Sequence, residues 1–233
     1  MKAFLLAAGV GSRLRPVTDV VPKCMVDIGG RPLLDIWLDA LAAAGVDEVL
    51  VNLHHLPEIV HVHLAGHTAP PAVRTVLEPE LLGSAGTLLA NRDWVQDEEM
   101  FLACYADNLT DFSLTDLVCE HRKYRPVATL TAFRSANPSA GGVLETDSVG
   151  WLTRFAEKPS QPVSDMVNAG VYAFAPEVLD EIDSVPPQDI GYGLLPRLVG
   201  KARVVPVPGY FTDIGTPEAY QRARVEWPGR ALR

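Results

Sequence analysis

A short apolar run leads directly into a glycine turn that carries two arginines at the start of this chain. Ala3 to Ala7 is predicted to be a β-strand, and Gly9, Gly11, Arg13 and Arg15 follow it. Glycines let a backbone turn sharply and approach a ligand closely, so that N–H groups converge on phosphate oxygens. In an open α/β sheet, ligands bind beyond the carboxyl ends of the strands. The opening loop therefore predicts an anion site on an α/β fold.

The alternation of apolar runs and helical patterns over the first 135 residues is typical of βαβ units in a mainly parallel sheet. From residue 137 onward, short strands broken by Gly, Pro and Ser are expected to add antiparallel strands to that sheet. The predicted strands are 3–7, 48–53, 73–77, 100–105, 127–133, 142–145, 151–155 and 167–174. The predicted helices begin at Pro32 and cover 85–91, 114–124, 177–182 and 218–225. We expect one Rossmann-like, doubly wound α/β domain over 1–233, with Pro186-Pro187 as a local break.

Net charge limits what the chain can bind. Lys and Arg number 20 against 29 Asp and Glu, which gives a formal charge of −9 in 233 residues. Such a surface repels nucleic acid and anionic lipid, so an anionic ligand must be held by a local group of cations. No apolar stretch approaches the roughly 20 residues of a membrane span, and no secretory leader pattern is visible. We therefore expect neither nucleic acid nor membrane as a partner.

The three cysteines, Cys24, Cys104 and Cys119, are odd in number, widely spaced and without a CxxC pair. This pattern argues against a disulfide framework and against a zinc ribbon. It favours the reducing cytoplasm.

Two other phosphate-binding motifs compete for the opening loop. A dinucleotide-binding turn needs a third glycine and an acid near the end of the second strand, where this chain has Asn52 to His55. A P-loop is excluded because GxxxxGK[ST] does not occur. A plain glycine turn with surface arginines does not account for Pro16, Thr18, Pro22 and Lys23 in the same loop.

The opening stretch LAAGVGSRLRPVT followed by PKCM resembles the nucleotide-binding signature of the sugar-1-phosphate nucleotidylyltransferases, which make NDP-sugars. Further similar motifs follow in the family's order: EPELLGSAGTL at 78–88, YADN at 105–108, FAEKP at 155–159, NAGVYAF at 168–174 and FTDIGTPEAY at 211–220. The resemblance covers nearly the whole chain and is greatest to short mannose and heptose 1-phosphate guanylyltransferases. It divides the domain into a nucleotide-binding half, 1–135, and a sugar-binding half, 136–233.

The resemblance implies that a sugar 1-phosphate oxygen attacks the α-phosphorus of an NTP and expels pyrophosphate. Because two anions must meet, catalysis depends on positioning and charge stabilisation. Arg13 is expected on the β- and γ-phosphates, and Lys23 between the α-phosphate and the incoming sugar phosphate. Arg15 is a less certain ligand, with a solvated arginine as the alternative. The nucleotide-binding set implied by the resemblance is Leu6, Ala7, Ala8, Gly9, Gly11, Ser12, Arg13, Glu78, Gly83 and Ser84.

The resemblance also implies a Mg²⁺ ion held by Asp107, a catalytic residue, together with Asp213. Magnesium is bound in such sites by one or two carboxylates and the substrate phosphates. The chain departs from the family at Ala106, where glycine is usual, but the Asp107 carboxylate is kept. A turn or capping role is the alternative for an isolated Asp at a strand end.

The sugar side is implied for four residues. Glu157 would accept bonds from hydroxyls, Lys158 would bind the sugar phosphate, Asn168 would contact hydroxyls, and the Gly142 backbone would make room for the ring. A surface Glu-Lys pair beside Pro159 is the alternative. The resemblance leaves mannose, heptose, glucose and N-acetylmuramic acid 1-phosphates open.

Glu78 bears on the choice of base. A carboxylate can accept from both the ring N–H and the amino group of guanine, which favours GTP; a uridylyl- or thymidylyltransferase, and a solvent-facing Glu78, stay open. Ser84 is expected to cap the helix that begins there. The chain ends soon after the helix near Pro217, so we expect a stand-alone transferase, whose oligomeric state the sequence does not indicate.

Two other classes of function remain as alternatives. One is a metal-binding module formed by His54, His55, His61, His63 and His67, although Pro57 and Gly66 interrupt that segment. The other is a relative that binds nucleotide as a regulator without turnover.

Overall fold

The structure is a computed structural model that describes residues 1–185 and 188–227. Contacts group the chain into two compact units. The first comprises Met1–Leu81, Cys104–Thr115 and the residues from Gly209 onward; the second comprises Leu82–Ala103 and Asp116–Pro208. The predicted break at Pro186-Pro187 lies outside the described residues.

The first unit is built on parallel strands. Its strands are β1 Lys2–Leu6, β2 Asp27–Ile28, β3 Arg31–Pro32, β4 Glu48–Leu53, β5 Ala72–Leu77, β7 Asn108–Thr110 and β13 Phe211–Asp213, and its helices are α1 Leu33–Ala43, α2 Pro57–Leu64 and α6 Pro217–Glu226. β4 pairs in parallel with both β1 and β5. β7 pairs antiparallel with β13, and β2 with β3.

Burial explains this arrangement. β1 buries Phe4 and Leu5 completely, and α1 turns its apolar face inward through Leu34, Trp37 and Leu41. Gly45, in the left-handed region at φ 78°, follows the end of α1 as predicted.

The second unit carries the antiparallel additions. Its strands are β8 Ala128–Arg134, β9 Gly142–Thr146, β10 Leu152–Glu157, β11 Met166–Phe174 and β12 Ala202–Pro206, and its helices are α3 Ser84–Ala90, α4 Arg92–Val95 and α5 Leu114–Tyr124, which begins in the first unit. β11 pairs antiparallel with β8 and β9, β9 pairs antiparallel with β10, and β8 pairs in parallel with β12. The chain passes from the second unit into the first within β6, Phe101–Tyr105.

The predicted α/β fold, with a mixed sheet, added antiparallel strands and helices on both sides, is confirmed. The segment 177–182, predicted to be a helix, forms a 3₁₀ helix, Pro176–Glu181. The short strands β2, β3, β7, β12 and β13 and the short helix α4 were not predicted, and α2 lies within the histidine segment. No helix within the described ranges is both long and apolar enough to cross a bilayer.

Candidate active site

The opening loop is shaped by Gly11 and Thr18. Gly11 has a φ of 68°, and a Cβ added there would lie 2.8 Å from Thr18 Cγ2. The buried Thr18 hydroxyl donates to the Gly11 carbonyl oxygen at 2.8 Å. Only glycine tolerates both the left-handed backbone and this close approach. At Gly9 an added Cβ would meet no atom within 4 Å, so the loop has open space there.

Lys23 reaches two carboxylates from the start of a 3₁₀ turn, Lys23–Met25. Its Nζ lies 2.5 Å from Asp107 Oδ2 and 3.4 Å from Asp213 Oδ1. The residue is only 7% exposed. A buried ammonium needs such partners, because an unpaired charge is costly to remove from water.

The pairing of β7 with β13 brings the two aspartates together from distant parts of the chain. Asn108, the residue after Asp107, stands opposite Asp213, and the Ile214 N–H donates to the Asp107 carbonyl oxygen at 2.9 Å. The Ala106 N–H donates to the carbonyl oxygen of Leu6 at 3.0 Å, which holds this segment beside the end of β1. Ala106 is buried, at 1% exposure, in the position where the resemblance implies glycine.

Arg13 completes the group of charges. Its Nη2 lies 3.7 Å from Asp213 Oδ2. A Cβ added at Gly215 would lie 2.8 Å from Asp213 Oδ1 and 2.9 Å from Arg13 Nη2, so any larger residue would push the ends of these two side chains aside. Arg15 pairs instead with Asp19, at 3.1 Å on the surface. We call Arg13, Lys23, Asp107 and Asp213 the charged cluster.

The pKa of Asp213 in the charged cluster is raised. Burial raises the pKa of Asp213, the neighbouring Asp107 raises it further, and Lys23 and Arg13 oppose both effects. Two hard oxygen donors suit a magnesium ion whose other ligands are phosphate and water oxygens. Within the described residues no three His, Cys, Asp or Glu side chains form a ready metal cage. The donor set therefore fits a metal that arrives with a nucleotide.

Glu78 is buried, at 3% exposure, so the alternative of a solvent-facing glutamate is wrong. Its Oε1 accepts a hydrogen bond from Asn52 Nδ2 at 2.9 Å. Asn52 Oδ1 in turn accepts from the Ala7 N–H at 2.7 Å. The amide side chain of Asn52 thus joins the opening loop to Glu78. The sequence indicated only that this position lacks the acid of a dinucleotide-binding fold.

In the second unit, the Glu157 carboxylate lies against two glycines. A Cβ added at Gly142 or at Gly191 would stand 2.7 Å from Glu157 Oε2. Burial raises the pKa of Glu157; Lys158 opposes this and Asp189 adds to it. The two glycines therefore leave the space that this carboxylate occupies.

Lys158 directly follows Glu157 at the end of β10, and Asn168 lies on β11. Lys158 has a left-handed φ of 45°, and its N–H donates to the Gly141 carbonyl oxygen at 3.0 Å. Its Nζ stands 5.8 Å from the centre of the Tyr192 ring. Asn168 Nδ2 donates to Tyr172 Oη at 2.6 Å. These contacts hold both predicted sugar ligands in defined positions.

Gly83 and Ser84 contact the segment that begins at Gln188. The Ser84 hydroxyl donates to Asp189 Oδ2 at 3.0 Å and accepts from the Ile190 N–H at 2.8 Å. Ser84 is the first residue of α3, and the residue before it, Gly83, occupies the cap position without a side-chain bond. The prediction that Ser84 caps the helix was therefore wrong, because its hydroxyl is used across the loop.

Comparison with known proteins agrees with the motifs. The sequence matches the nucleotidyl transferase family over residues 2–227. The chain belongs to this family. It is 33% identical over 227 residues to a mannose-1-phosphate guanyltransferase of Schizosaccharomyces pombe (94% of this chain, 62% of the relative) and equally to mannose-1-phosphate guanyltransferase beta-A of Xenopus laevis, with the same coverage. The chain thus spans less than two thirds of the length of these relatives.

Among solved structures, a Bacillus anthracis protein assigned as a glucose-1-phosphate thymidylyltransferase, in complex with sucrose, has the same fold. The TM-score is 0.86 at 21% identity, covering 100% of this chain and 97% of the other. At that identity the likeness concerns the fold of this nucleotidyl transferase and not its substrate.

Asp189, Gly191 and Tyr192 were missed by sequence reasoning. Asp189 Oδ1 accepts from the Gly191 and Tyr192 N–H groups and so caps a π-helical turn, Ile190–Leu194. The signal available was the run DIGYG, in which an acid precedes two glycines. An Asp in that position is a common capping residue.

The histidines of this nucleotidyl transferase have separate partners. His54 contacts the Glu78 carbonyl oxygen, His55 the Thr18 carbonyl oxygen, His63 the Asp35 carboxylate, His61 the Thr75 hydroxyl and His67 the Pro71 carbonyl oxygen. They are therefore dispersed, and within the described part of the chain they form no group of three that could hold a metal.

Proposed function

We propose that this nucleotidyl transferase moves a nucleoside monophosphate from an NTP, with GTP favoured, to a sugar 1-phosphate, and releases pyrophosphate. The observation that carries the proposal is the charged cluster at the glycine loop. Two cations and two carboxylates lie beside a loop that has open space at Gly9, an arrangement that suits a reaction between two phosphate-bearing substrates. The names of the relatives as mannose-1-phosphate guanyltransferases support it.

The chain's own residues neutralise and position the reactants. A sugar phosphate oxygen forms the new bond to the α-phosphorus. At the same time the bond from the α-phosphorus to the oxygen that joins the α- and β-phosphates breaks, and pyrophosphate leaves with that electron pair. Lys23 would stand between the two phosphates that react, and Arg13 on the leaving β- and γ-phosphates. The backbone of Leu6 to Ser12 would cradle the triphosphate through its N–H groups.

Asp107 and Asp213 would hold Mg²⁺. When bound, the ion supplies positive charge that offsets the negative charge of the phosphates. Lys23 bridges the two carboxylates in the structure described here, at 2.5 Å and 3.4 Å. In our proposal its ammonium group exchanges at least one of these partners for phosphate oxygens when substrates arrive.

Base and sugar contacts are assigned to the predicted residues. Glu78 would accept from guanine, with Gly83 and Ser84 on the nucleotide, and a uridylyl- or thymidylyltransferase is the alternative within the family. Glu157, Lys158, Asn168 and Gly142 would contact the sugar 1-phosphate. The three free cysteines and the charge of −9 fit a cytoplasmic enzyme with neither nucleic acid nor membrane as partner.

The test is pyrophosphate release from GTP, UTP, dTTP, CTP and ATP with a pool of sugar 1-phosphates, with Mg²⁺ and with excess chelator. We expect release with GTP, its loss in chelator, and its loss in Asp107→Asn. Release with another nucleotide would keep the reaction and overturn the base assignment. Nucleotide binding without turnover on any sugar would favour a regulator instead.

A further inference from the structure

Asn52 has a role that the family motifs do not assign. It lies one residue before the end of β4, in the region where a dinucleotide-binding fold carries an acid, and it is 4% exposed. In the parallel register Asn52 stands opposite Leu6 on one side and Val76 on the other. Its side chain therefore lies between the strand that enters the phosphate loop and the strand that leads to Glu78.

The orientation of the Asn52 amide follows from its partners. The Ala7 main-chain N–H can only donate, so the atom of Asn52 that faces it at 2.7 Å must be the oxygen. The amide nitrogen must then face Glu78 Oε1, at 2.9 Å. Glu78 Oε1 is therefore a hydrogen-bond acceptor on the side that faces Asn52.

The main chain of Glu78 is held without Asn52. The Glu78 N–H donates to the Leu53 carbonyl oxygen at 2.8 Å, and His54 Nδ1 donates to the Glu78 carbonyl oxygen at 2.8 Å. These bonds fix where residue 78 lies. The hydrogen bond from Asn52 Nδ2 acts on the side chain instead: it orients the Glu78 carboxylate and uses Oε1 as an acceptor.

We propose that Asn52 is the positioning residue for nucleobase selectivity, which couples the phosphate loop at Ala7 to the carboxylate of Glu78 and keeps that carboxylate an acceptor toward guanine. The inference rests on the proposed function, in which Glu78 contacts the base. Guanine presents a ring N–H and a 2-amino group as donors, whereas hypoxanthine lacks the amino group. Preference for GTP over ITP therefore reports the contact directly.

The experiment measures the Kd of GTP and of ITP by calorimetry on the whole chain. A hydrogen bond to a charged group corresponds to about tenfold or more in affinity, so the wild type should prefer GTP by at least that factor. Asn52→Asp keeps an oxygen for Ala7 but places a second oxygen against Glu78. We expect its preference to fall to about threefold or less, as in Glu78→Gln.

Two further variants serve as controls for a general disturbance around Glu78 and for poor folding of Asn52→Asp. His54→Gln retains an N–H that can donate to the Glu78 carbonyl oxygen, so this variant should keep the GTP preference. Asn52→Asp combined with Glu78→Gln restores a donor facing an acceptor, so its Tm should exceed that of Asn52→Asp. This comparison remains informative if the single variant folds poorly.

The outcomes separate the inference from the proposed function. Equal binding of GTP and ITP by the wild type, or an Asn52→Asp protein that keeps the GTP preference, overturns the role of Asn52. A GTP preference lost in Asn52→Asp, without pyrophosphate release by the wild type on any sugar, supports the role of Asn52 and overturns the transferase function.

Discussion

The ammonium group of Lys23 lies 2.5 Å from a carboxylate oxygen of Asp107, although 84 positions separate the two residues in the chain. Lys23 is also the residue that touches both aspartates of the charged cluster at hydrogen-bonding distance. It therefore acts as the internal counter-charge of a site that we expect to receive phosphates.

Lys23→Met should reduce turnover by about 10²-fold or more, because a charge aimed at the reacting phosphates is lost. The measurement is kcat for pyrophosphate release. Lys201→Met is the matched control, since Lys201 Nζ also lies 2.5 Å from a carboxylate, that of Glu181, but on the surface. Equal rates in wild type and Lys23→Met would remove Lys23 from the chemistry.

Gly215→Ala should lower kcat by about tenfold while Tm changes little. The new methyl group would stand 2.8 Å from Asp213 Oδ1 and 2.9 Å from Arg13 Nη2, and both of these atoms end side chains that can move aside. Such movement disturbs the charged cluster without opening the core. Gly66→Ala, where the nearest atom lies at 3.9 Å, serves as the control. A fully active Gly215→Ala enzyme would contradict the prediction.

Gly191→Ala should raise the KM for the sugar 1-phosphate about tenfold and leave the KM for GTP unchanged. The added carbon would lie 2.7 Å from Glu157 Oε2 and 3.1 Å from Asp189 Oδ1, which displaces the proposed hydroxyl acceptor. Gly193→Ala, in the same turn, would meet only the end of the Gln188 side chain, at 3.0 Å. A change in the KM for GTP instead would place this turn on the nucleotide.

Stability should fall between about pH 6.5 and pH 4 because of His121. Burial lowers the pKa of His121 from 6.5 to about 4, and its Nδ1 contacts the Thr129 hydroxyl at 2.9 Å. In that range the unfolded chain binds a proton that the folded chain refuses, so acid favours unfolding, by about 3 kcal/mol in total. Above pH 7 His121 is neutral in both the folded and the unfolded chain, so this destabilisation is absent.

Urea unfolding of wild type and His121→Asn at pH 7.5 and pH 4.5 measures this contribution. The variant should lose less stability on acidification, because the titrating group is gone while an amide can still reach Thr129. His61→Asn, at an exposed histidine, controls for the substitution itself. Identical acid sensitivity in wild type and His121→Asn would assign the loss to other groups.

Much of the fold was predictable from the sequence because periodicity and burial coincide there. The predicted limits of β4 and α5 agree with the structure residue for residue. β7 and β13, of three residues each, carry too little pattern to be recognised. Their pairing nevertheless brings Asp107 and Asp213 together.

The site was predictable where a local motif carries it and not where contacts are long-range. The glycine-loop motif predicted that Arg13 and Lys23 would lie together, and the structure brings both side chains to Asp213. Asp189, by contrast, reaches Ser84 across 105 positions, and Asn52 reaches Glu78 across 26. Such partners depend on how strands and turns fold back, which no short stretch of sequence encodes.

The loop around Gly83 and the segment around Gln188 form one structural unit, because main-chain hydrogen bonds and close contacts join them. The Gln188 carbonyl oxygen accepts from the N–H groups of both Ala85 and Gly86, and an added Cβ at Gly83 would collide with the Gln188 backbone. Recombination of this nucleotidyl transferase with a relative therefore requires that the two segments are transplanted together. A chimaera that swaps only one segment would mismatch five hydrogen bonds at once: two to the Gln188 carbonyl oxygen, one from the Gln188 N–H to Leu82, and two of the Ser84 hydroxyl.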